Sequence, residues 1–394
     1  TITLGASGDT IALASGASQT GFGRTGTVDW QTSIKTGDFT ATSGEGYFVN
    51  TTSGTITVTL PASPSAGDIV SIKDYASTFN TNNCTIGRNS QPIEGETFDK
   101  VLETNGIAIT AVYGDATKGW QFVNSNEVVN AASFVTATGG NTVATCGDFK
   151  VHTFTSPGTF CVSCAGNAGG SNKVSYLVVA GGGGAGKADA GGGGGGGFRE
   201  GKTPSTPYTA SPIVAPDGLP VSVQGYPITV GGGGAGGAAP TPGNPGVKGS
   251  NSIFSTITST GGGFGAGNSG PAGGPGGSGG GGSASVPAAG SGNEPPVSPP
   301  QGNDGGTNGG GGGGATAAGV ATGGSGGAGA TTNISGSPIT KSAGGPGDRP
   351  GGSAGTDGAA NSGGGGQGID NGGPGPGPGG SGGSGIVIIR YKFQ

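Results

Sequence analysis

Val174-Ser-Tyr-Leu-Val-Val-Ala180 runs directly into Gly181-Gly-Gly-Gly184, and a second apolar stretch, Ile386-Val-Ile-Ile-Arg-Tyr391, follows the last glycines. Both apolar stretches have the length and the β-branched content of buried strands. A hydrophobic strand that ends a glycine-rich tract has to bury its side chains, and the stretch 174–180 is its natural partner. We therefore expect these two strands to pair and to close the glycine-rich chain between them into one folded unit.

The same pattern of a short strand followed by glycines recurs along this region. Tyr226-Pro-Ile-Thr-Val230 precedes Gly231–Gly234, and Ile253-Phe-Ser-Thr-Ile-Thr258 precedes Gly261–Gly263. Glycine does not recur at every third position, which excludes collagen. Polyproline II helices have no internal hydrogen bonds, so glycine-rich helices of this type can approach closely and bond to one another through backbone amides. The sequence therefore predicts packed polyproline-II-type helices.

The overall composition supports an ordered chain and excludes several partners. Of 394 residues, 100 are Gly and 26 are Pro, but only 9% are charged and the net charge is −5. Disordered chains usually carry a higher charge. With 16 Lys and Arg there is no basic stripe for phosphates, so no nucleic acid is expected. No run of 18 apolar residues occurs, so no membrane insertion is expected.

The N-terminal third reads as short strands without helical periodicity. Residues 1–45 carry short apolar runs between Gly, Ser and Thr, which predicts a short-stranded β stem whose strands pair with neighbouring chains. Residues 46–130 predict an antiparallel β-sandwich, because turn signals recur about every 10 residues. Within it, Thr55-Ile-Thr-Val-Thr-Leu60 alternates strictly, with Ile56, Val58 and Leu60 on the core face.

Residues 131–165 are predicted to form a β-hairpin joint, and residues 166–394 a glycine-rich distal domain. Phe149–Phe154 and Gly158–Val162 flank Thr155-Ser-Pro-Gly158, a turn signal. The only histidine, His152, is expected on the face opposite Phe154, as a surface or inter-chain hydrogen-bonding residue. The predicted fold class is thus all-β: a stem with an antiparallel sandwich, then polyproline-II-type helices closed by strands, with no α-helix.

No motif supports a cofactor or a metal. Cys161-Val-Ser-Cys164 has redox or zinc spacing, but the four cysteines (Cys84, Cys146, Cys161, Cys164) are expected to be small buried thiols or one incidental disulfide. Gly181–Lys187 matches most of a phosphate-binding loop, but Ala188 replaces the Ser or Thr that would bind Mg²⁺. Neither a cofactor nor a metal site is predicted.

Several segments resemble a known family. Gly46–Gly54, Thr55–Pro61, Gly67–Tyr75 and Asp115–Trp120 resemble tail-fibre domains of bacteriophages, especially those of marine bacteria. His152–Phe160, Tyr176–Gly184, Gly197–Gly201 and Gly385–Tyr391 resemble the glycine-rich phage tail-fibre domain. The similarity covers nearly the whole chain. Long insertions without glycine tracts, such as 202–223, depart from the family pattern.

The resemblance implies a homotrimeric fibre of the virion whose distal tip is exposed outside the cell. Its partners would be a bacterial surface receptor, either a polysaccharide or an outer-membrane protein, and other virion tail proteins. Large side chains in a glycine background are the expected source of contact energy. The candidate receptor contacts are Phe198, Arg199, Tyr208 and Phe264, with the loops 204–220, 286–301 and 346–361 beside them.

Three other functions compete with host adsorption. A polysaccharide-cleaving spike needs a pair of carboxylates, but the available acids read as turn and surface residues, so no enzyme is predicted; these acids are Asp68, Asp74, Glu94, Glu96 and Asp99. A purely structural virion fibre or decoration protein remains the alternative. An ice- or mineral-binding bundle would need a regular threonine array, and the threonines after residue 165 are irregular.

Overall fold

Strands and glycine tracts make up most of the part of the chain that the structure describes. The computed structural model describes residues 28–124, 128–130, 132–167, 169–238, 244–347, 354–370 and 377–394. Over these residues it contains 23 strands and no helix. The prediction of an all-β protein is confirmed. The chain divides into two units, residues 1–131 and 132–394, each described separately below.

The first unit contains two five-stranded sheets with the orders β1-β3-β5-β8-β9 and β10-β7-β6-β4-β2. Its strands are β1 Asp29–Trp30, β2 Phe39–Thr40, β3 Glu45–Val49, β4 Ile56–Thr59, β5 Ile69–Asp74, β6 Cys84–Gly87, β7 Lys100–Leu102, β8 Ala108–Asp115, β9 Gly119–Phe122 and β10 Val128–Asn130. Successive strands β1 to β6 alternate between the two sheets.

This alternation corrects the predicted antiparallel arrangement. Strands β1, β3 and β5 are parallel neighbours, as are β2, β4 and β6. A chain that crosses to the other sheet after each strand returns in the same direction. The turn signals that suggested hairpins therefore mark crossovers between sheets for β1 to β6. Pairings β5–β8, β8–β9, β6–β7 and β7–β10 are antiparallel.

The core of the first unit lies between its sheets. Ile56, Val58 and Leu60 are at most 3% exposed, as the alternation predicted. They pack in one cluster with Trp120, which is fully buried. The predicted stem lies mostly outside the described residues, which begin at residue 28. The part that is described, β1 and β2, pairs within this chain with β3 and β4.

The second unit contains a five-stranded sheet with the order β11-β14-β18-β19-β20 and a six-stranded sheet built on the order β12-β13-β23-β15-β16. We call the latter, which also carries β17 on β15, the closure sheet. The strands are β11 Val135–Thr138, β12 Thr142–Cys146, β13 Phe149–Phe154, β14 Gly158–Ala165, β15 Lys173–Val179, β16 Phe198–Gly201, β17 Leu219–Pro220, β18 Gly225–Thr229, β19 Ser252–Phe254, β20 Ile257–Ser259, β21 Ala330–Thr332, β22 Ile339–Lys341 and β23 Ile386–Lys392.

The C-terminal strand β23 closes the glycine-rich region as predicted. It pairs antiparallel with β15, with Val179 opposite Ile386 and Leu177 opposite Ile388. On its other side it pairs with β13, which the sequence did not predict. Strand β23 is therefore central in the closure sheet. Its inward side chains, among them Val387 and Ile389, pack against the sheet β11-β14-β18-β19-β20.

The segment 131–165 contributes β11 to β14 to this same unit rather than a separate joint. Strands β13 and β14 lie in different sheets, so the turn Thr155–Gly158 connects the two layers instead of closing a hairpin. The physical reason is burial: Phe154 and Phe160 both face the space between the sheets, where they join one hydrophobic cluster.

Two insertions cover the outer face of the closure sheet. Leu177, Phe198 and Ile388 on this face pack against Tyr208 of the segment 202–218 and against Ile334 of the β21–β22 hairpin. The segment 202–218, which contains no glycine tract, thus covers part of the outer face of the closure sheet.

The glycine tracts form hydrogen bonds with a three-residue period. In the tract 181–187, every third amide donates to the same neighbouring tract. The amides of residues 181, 184 and 187 donate to the carbonyls of residues 250, 247 and 244. Those of residues 182 and 185 donate to residues 383 and 380, and those of residues 183 and 186 donate to residues 194 and 191. Three residues per turn is the period of the polyproline II helix. The tract 181–187 is therefore one helix with neighbours on three sides.

Glycine is required in these tracts because the backbones touch. A Cβ atom on Gly183 would lie 2.0 Å from the carbonyl oxygen of Gly263, and one on Gly193 would lie 2.0 Å from that of Gly183. Side chains cannot fit between helices this close. Backbone hydrogen bonds, rather than a hydrophobic core, hold this part of the unit together.

The tracts leave the sandwich at one end. Strand β15 ends at Val179 and β16 begins at Phe198, and these two residues are paired partners beside Ile386. The tract 181–187 therefore runs outward and the tract 190–197 returns. Other neighbouring tracts are also antiparallel, as their backbone hydrogen bonds show. Several of the turns that join them therefore lie together at the far end of the bundle.

Candidate functional site

A continuous surface of turns lies at the far end of the glycine bundle. Backbone hydrogen bonds link them in sequence: Asn268 to Lys187 (3.4 Å), Ala284 to Asp189 (2.9 Å), Asn308 to Pro287 (3.0 Å) and Thr322 to Thr307 (2.9 Å). We call the turns 267–272, 283–287, 307–309 and 321–323 the turn surface; the turn 187–190 is buried, with Lys187 and Ala188 only 3% and 1% exposed, and bonds to two of them. Because the turns bond to one another, they form a platform rather than separate loops.

Small polar side chains cover the turn surface. Ser285, Thr307, Asn308 and Thr322 are exposed. Ser285 hydrogen-bonds the side-chain oxygen of Asn268, and Asn308 donates from its side chain to the hydroxyl of Thr322 (3.4 Å). Asn308 and Thr322 have φ angles of 57° and 55°, left-handed backbone that tight turns require. Such groups suit hydrogen bonding to a polar ligand.

The four predicted receptor contacts lie elsewhere. Phe198 is 1% exposed and belongs to the core of the closure sheet, which leaves no side-chain surface for a receptor. Tyr208 is 9% exposed and covers the same sheet. Arg199 is half-buried on the edge strand β16. Phe264 is half-buried within a tract, where its ring packs so close to Gly274 that a Cβ there would lie 2.4 Å away.

The turn residues were not among the predicted contacts, because large side chains were expected to supply the contact energy. Phe198 and Tyr208 are buried because the segment 202–218 folds back over the sheet. The available signal was the short polar interruption of a glycine tract, as at Asn268-Ser269 and Thr307-Asn308. Of the predicted loops, 286–301 begins on the turn surface, 204–220 covers the closure sheet, and 346–361 lies partly outside the described residues.

His152 lies in the core between the sheets of the second unit, not on the surface. It shares the inner face with Phe154, because residues two apart in a strand point to the same side. Its Nδ1 lies 2.6 Å from the Gly139 carbonyl and its Nε2 lies 3.0 Å from the hydroxyl of Tyr391. Burial lowers the pKa of His152 below its usual 6.5, so the ring is neutral at neutral pH.

This pKa predicts a pH-dependent stability. The unfolded chain binds a proton at His152 near pH 6.5, whereas the folded unit resists protonation until a lower pH. The contribution of His152 is therefore complete above pH 6.5 and falls as the pH drops toward the folded pKa. In urea unfolding at about pH 7.5 and about pH 5.5, wild type should lose more stability on acidification than His152→Gln. Equal losses in the two proteins would contradict this role.

Other ionisable and thiol groups also have structural roles. Asp74, predicted as a surface or turn residue, is 2% exposed and accepts the backbone N–H groups of Gly106 (2.9 Å) and Thr78 (3.3 Å). The four cysteines are described and are free thiols; Cys84 is buried, but Cys161 is exposed. No group of three His, Cys, Asp or Glu that could hold a metal occurs in the described part of the chain.

The phosphate-loop-like segment 181–187 has no amides to offer a phosphate. Each of its backbone N–H groups donates to a carbonyl of a neighbouring tract. A helix that could span a membrane is not found among the residues that the structure describes.

The bundle and its turn surface define the second unit as a β-sandwich that carries a glycine-helix bundle. A family model described as a glycine-rich domain matches residues 155–392. The match covers more than half of the chain, and the chain therefore belongs to this glycine-rich domain family. No curated protein matches it.

Proposed function

We propose that this chain is a bacteriophage tail-fibre protein that recognises and adsorbs to host cells through the turn surface. In this role it is a homotrimer on the virion, exposed outside the cell, without catalysis or cofactor. Its partners are a bacterial surface receptor, polysaccharide or outer-membrane protein, and other tail proteins. It neither binds nucleic acid nor inserts into membranes.

The observation that carries the proposal is that the glycine bundle is held together without the side chains of its turns. Backbone hydrogen bonds and glycine contacts hold the bundle, so the fold uses few side chains from the turns. Residues such as Thr307 and Ala321 are exposed. Their identity can change without loss of the scaffold, which is what an adhesin needs to match a receptor.

Adsorption competition tests the proposal. Host cells are incubated with purified chain, then phage are added and free phage counted. The wild-type chain should reduce adsorption of the phage. The double variant Thr307→Lys/Ala321→Lys should not reduce it, because two long cationic side chains on the turn surface obstruct binding of the receptor. Both residues are exposed, so stability should change by only about 0.5 kcal/mol.

The matched control is Ser337→Lys/Val143→Lys, which adds the same charge at exposed positions away from the turn surface. This variant should compete as well as wild type. Loss of competition in the control alone would move the binding site to the sandwich. If wild type itself does not compete with a confirmed host's phage, the chain is a structural fibre or decoration protein instead.

A further inference from the structure

A pocket of about 430 Å³ opens on the outer face of the closure sheet. It lies where the segment 202–218 and the β21–β22 hairpin leave the sheet incompletely covered. The residues that line it are Cys146, Lys202, Pro207, Tyr208, Thr209, Asn333, Gly336 and Arg390. Pro207, Thr209 and Gly336 are exposed at the rim, whereas Tyr208 and Arg390 are buried. Its volume is in the range of small-ligand sites.

Arg390 is a buried cation of this pocket. It is 5% exposed, and its guanidinium lies 4.9 Å from the ring centre of Phe149 and 5.6 Å from that of Tyr208. Its Nη1 donates to the Ile334 carbonyl (3.2 Å), and its Nε has no acceptor among the described residues. No carboxylate in the described ranges forms an ion pair with it. A buried cation of this kind normally requires an anion.

The other charged groups beside the pocket leave it cationic. The ammonium of Lys202 lies 5.5 Å from the ring centre of Tyr208, so two cations flank that ring. The acid on the same face, Glu200, is 2% exposed. Its two oxygens accept hydrogen bonds from the Thr332 hydroxyl (2.5 Å) and the Ser211 amide (2.9 Å), which hold both insertions in place.

We propose that this pocket binds the carboxylate of an acidic sugar. Arg390 and Lys202 supply the positive charge for the carboxylate. Thr209 and Asn333 offer hydroxyl and amide groups for the sugar hydroxyls. The proposal does not depend on receptor binding at the turn surface, because the pocket belongs to the sandwich.

Cys146 on the pocket wall provides a direct probe of its charge. Iodoacetate and iodoacetamide alkylate the same thiolate, but only iodoacetate carries a negative charge. The iodoacetate-to-iodoacetamide rate ratio at Cys146 should exceed that at the exposed Cys161 by about fivefold at low salt. Lys202→Gln should reduce this excess. Arg199→Gln, which removes one positive charge from outside the pocket lining, should retain it. Equal ratios at both cysteines in wild type would overturn the proposal.

Ligand protection identifies the anion. Glucuronate, glucose 6-phosphate and glucose are each added before iodoacetamide, and modification of Cys146 is measured by mass spectrometry. Protection by glucuronate but not by glucose supports the proposal, whether or not glucose 6-phosphate also protects. Protection by glucose 6-phosphate alone would overturn the carboxylate assignment in favour of a phosphosugar. Protection by glucose, or by none of the three, would refute an acidic-sugar site.

Discussion

Gly193→Ala is expected to prevent stable folding of the second unit. Gly193 lies inside the bundle, where its N–H donates to Gly366 and its carbonyl accepts from Gly345 (both 2.9 Å). A Cβ atom would lie 2.0 Å from the Gly183 oxygen, a backbone atom whose own tract is held by hydrogen bonds. Relief of the clash requires a shift of several tracts, so we expect a loss of at least about 4 kcal/mol.

Gly232→Ala is the matched control for this prediction. Gly232 also belongs to a glycine tract, but a Cβ there meets no atom within 4 Å and the residue is exposed. The substitution should be neutral or stabilise by up to about 1 kcal/mol, because it restricts the unfolded chain.

The two units can be followed separately in this experiment. The only tryptophans, Trp30 and Trp120, belong to the first unit, so tryptophan fluorescence reports on that unit alone. Amide hydrogen exchange in the tracts reports on the second. Gly193→Ala should abolish tract protection and leave the fluorescence transition unchanged. If both alanine variants unfold at the same urea concentration, close backbone packing is not what requires glycine.

Ile388→Asp should unfold the sandwich and the bundle together. Ile388 is 2% exposed in the central strand β23, opposite Thr153 on one side and Leu177 on the other. An aspartate there buries a carboxylate among Phe198, Ile334 and other apolar side chains. The expected cost is at least about 4 kcal/mol. Because β23 connects to the last glycine tract, the tracts should lose exchange protection in the same transition.

Val143→Asp controls for the added charge. Val143 is 51% exposed on the edge strand β12 of the same sheet, so its substitution should change stability by only about 0.5 kcal/mol. Limited proteolysis and hydrogen exchange would compare the two variants. Protected tracts beside an unfolded sandwich in Ile388→Asp would mean that the bundle folds without strand closure.

Local sequence determined much of the fold. The alternation at Thr55–Leu60 placed Ile56, Val58 and Leu60 in the core, and each is buried. The two long apolar stretches, 174–180 and 386–391, predicted their own pairing, because each is a hydrophobic strand beside a glycine tract and has to bury its side chains. The glycine content predicted close backbone packing, since no other residue leaves room for it.

Other features were decided only by the tertiary structure. The sequence alone did not assign neighbours to the tracts, because similar glycine runs present the same amides and carbonyls. It also gave no sign of the parallel strand order in the first unit, since a turn signal does not distinguish a hairpin from a crossover between sheets.

The candidate sites depend most on tertiary structure. Phe198 and Tyr208 look like exposed contact residues in a glycine background, but the segment 202–218, which contains Tyr208, folds back over the closure sheet and buries both. The turn surface brings together residues from 267 to 323, and the pocket joins Cys146 to Arg390. The sequence by itself determined which segments form strands and which form glycine helices, because these depend on local composition and periodicity. Tertiary structure alone decided which side chains are exposed together, because that depends on how distant segments pack.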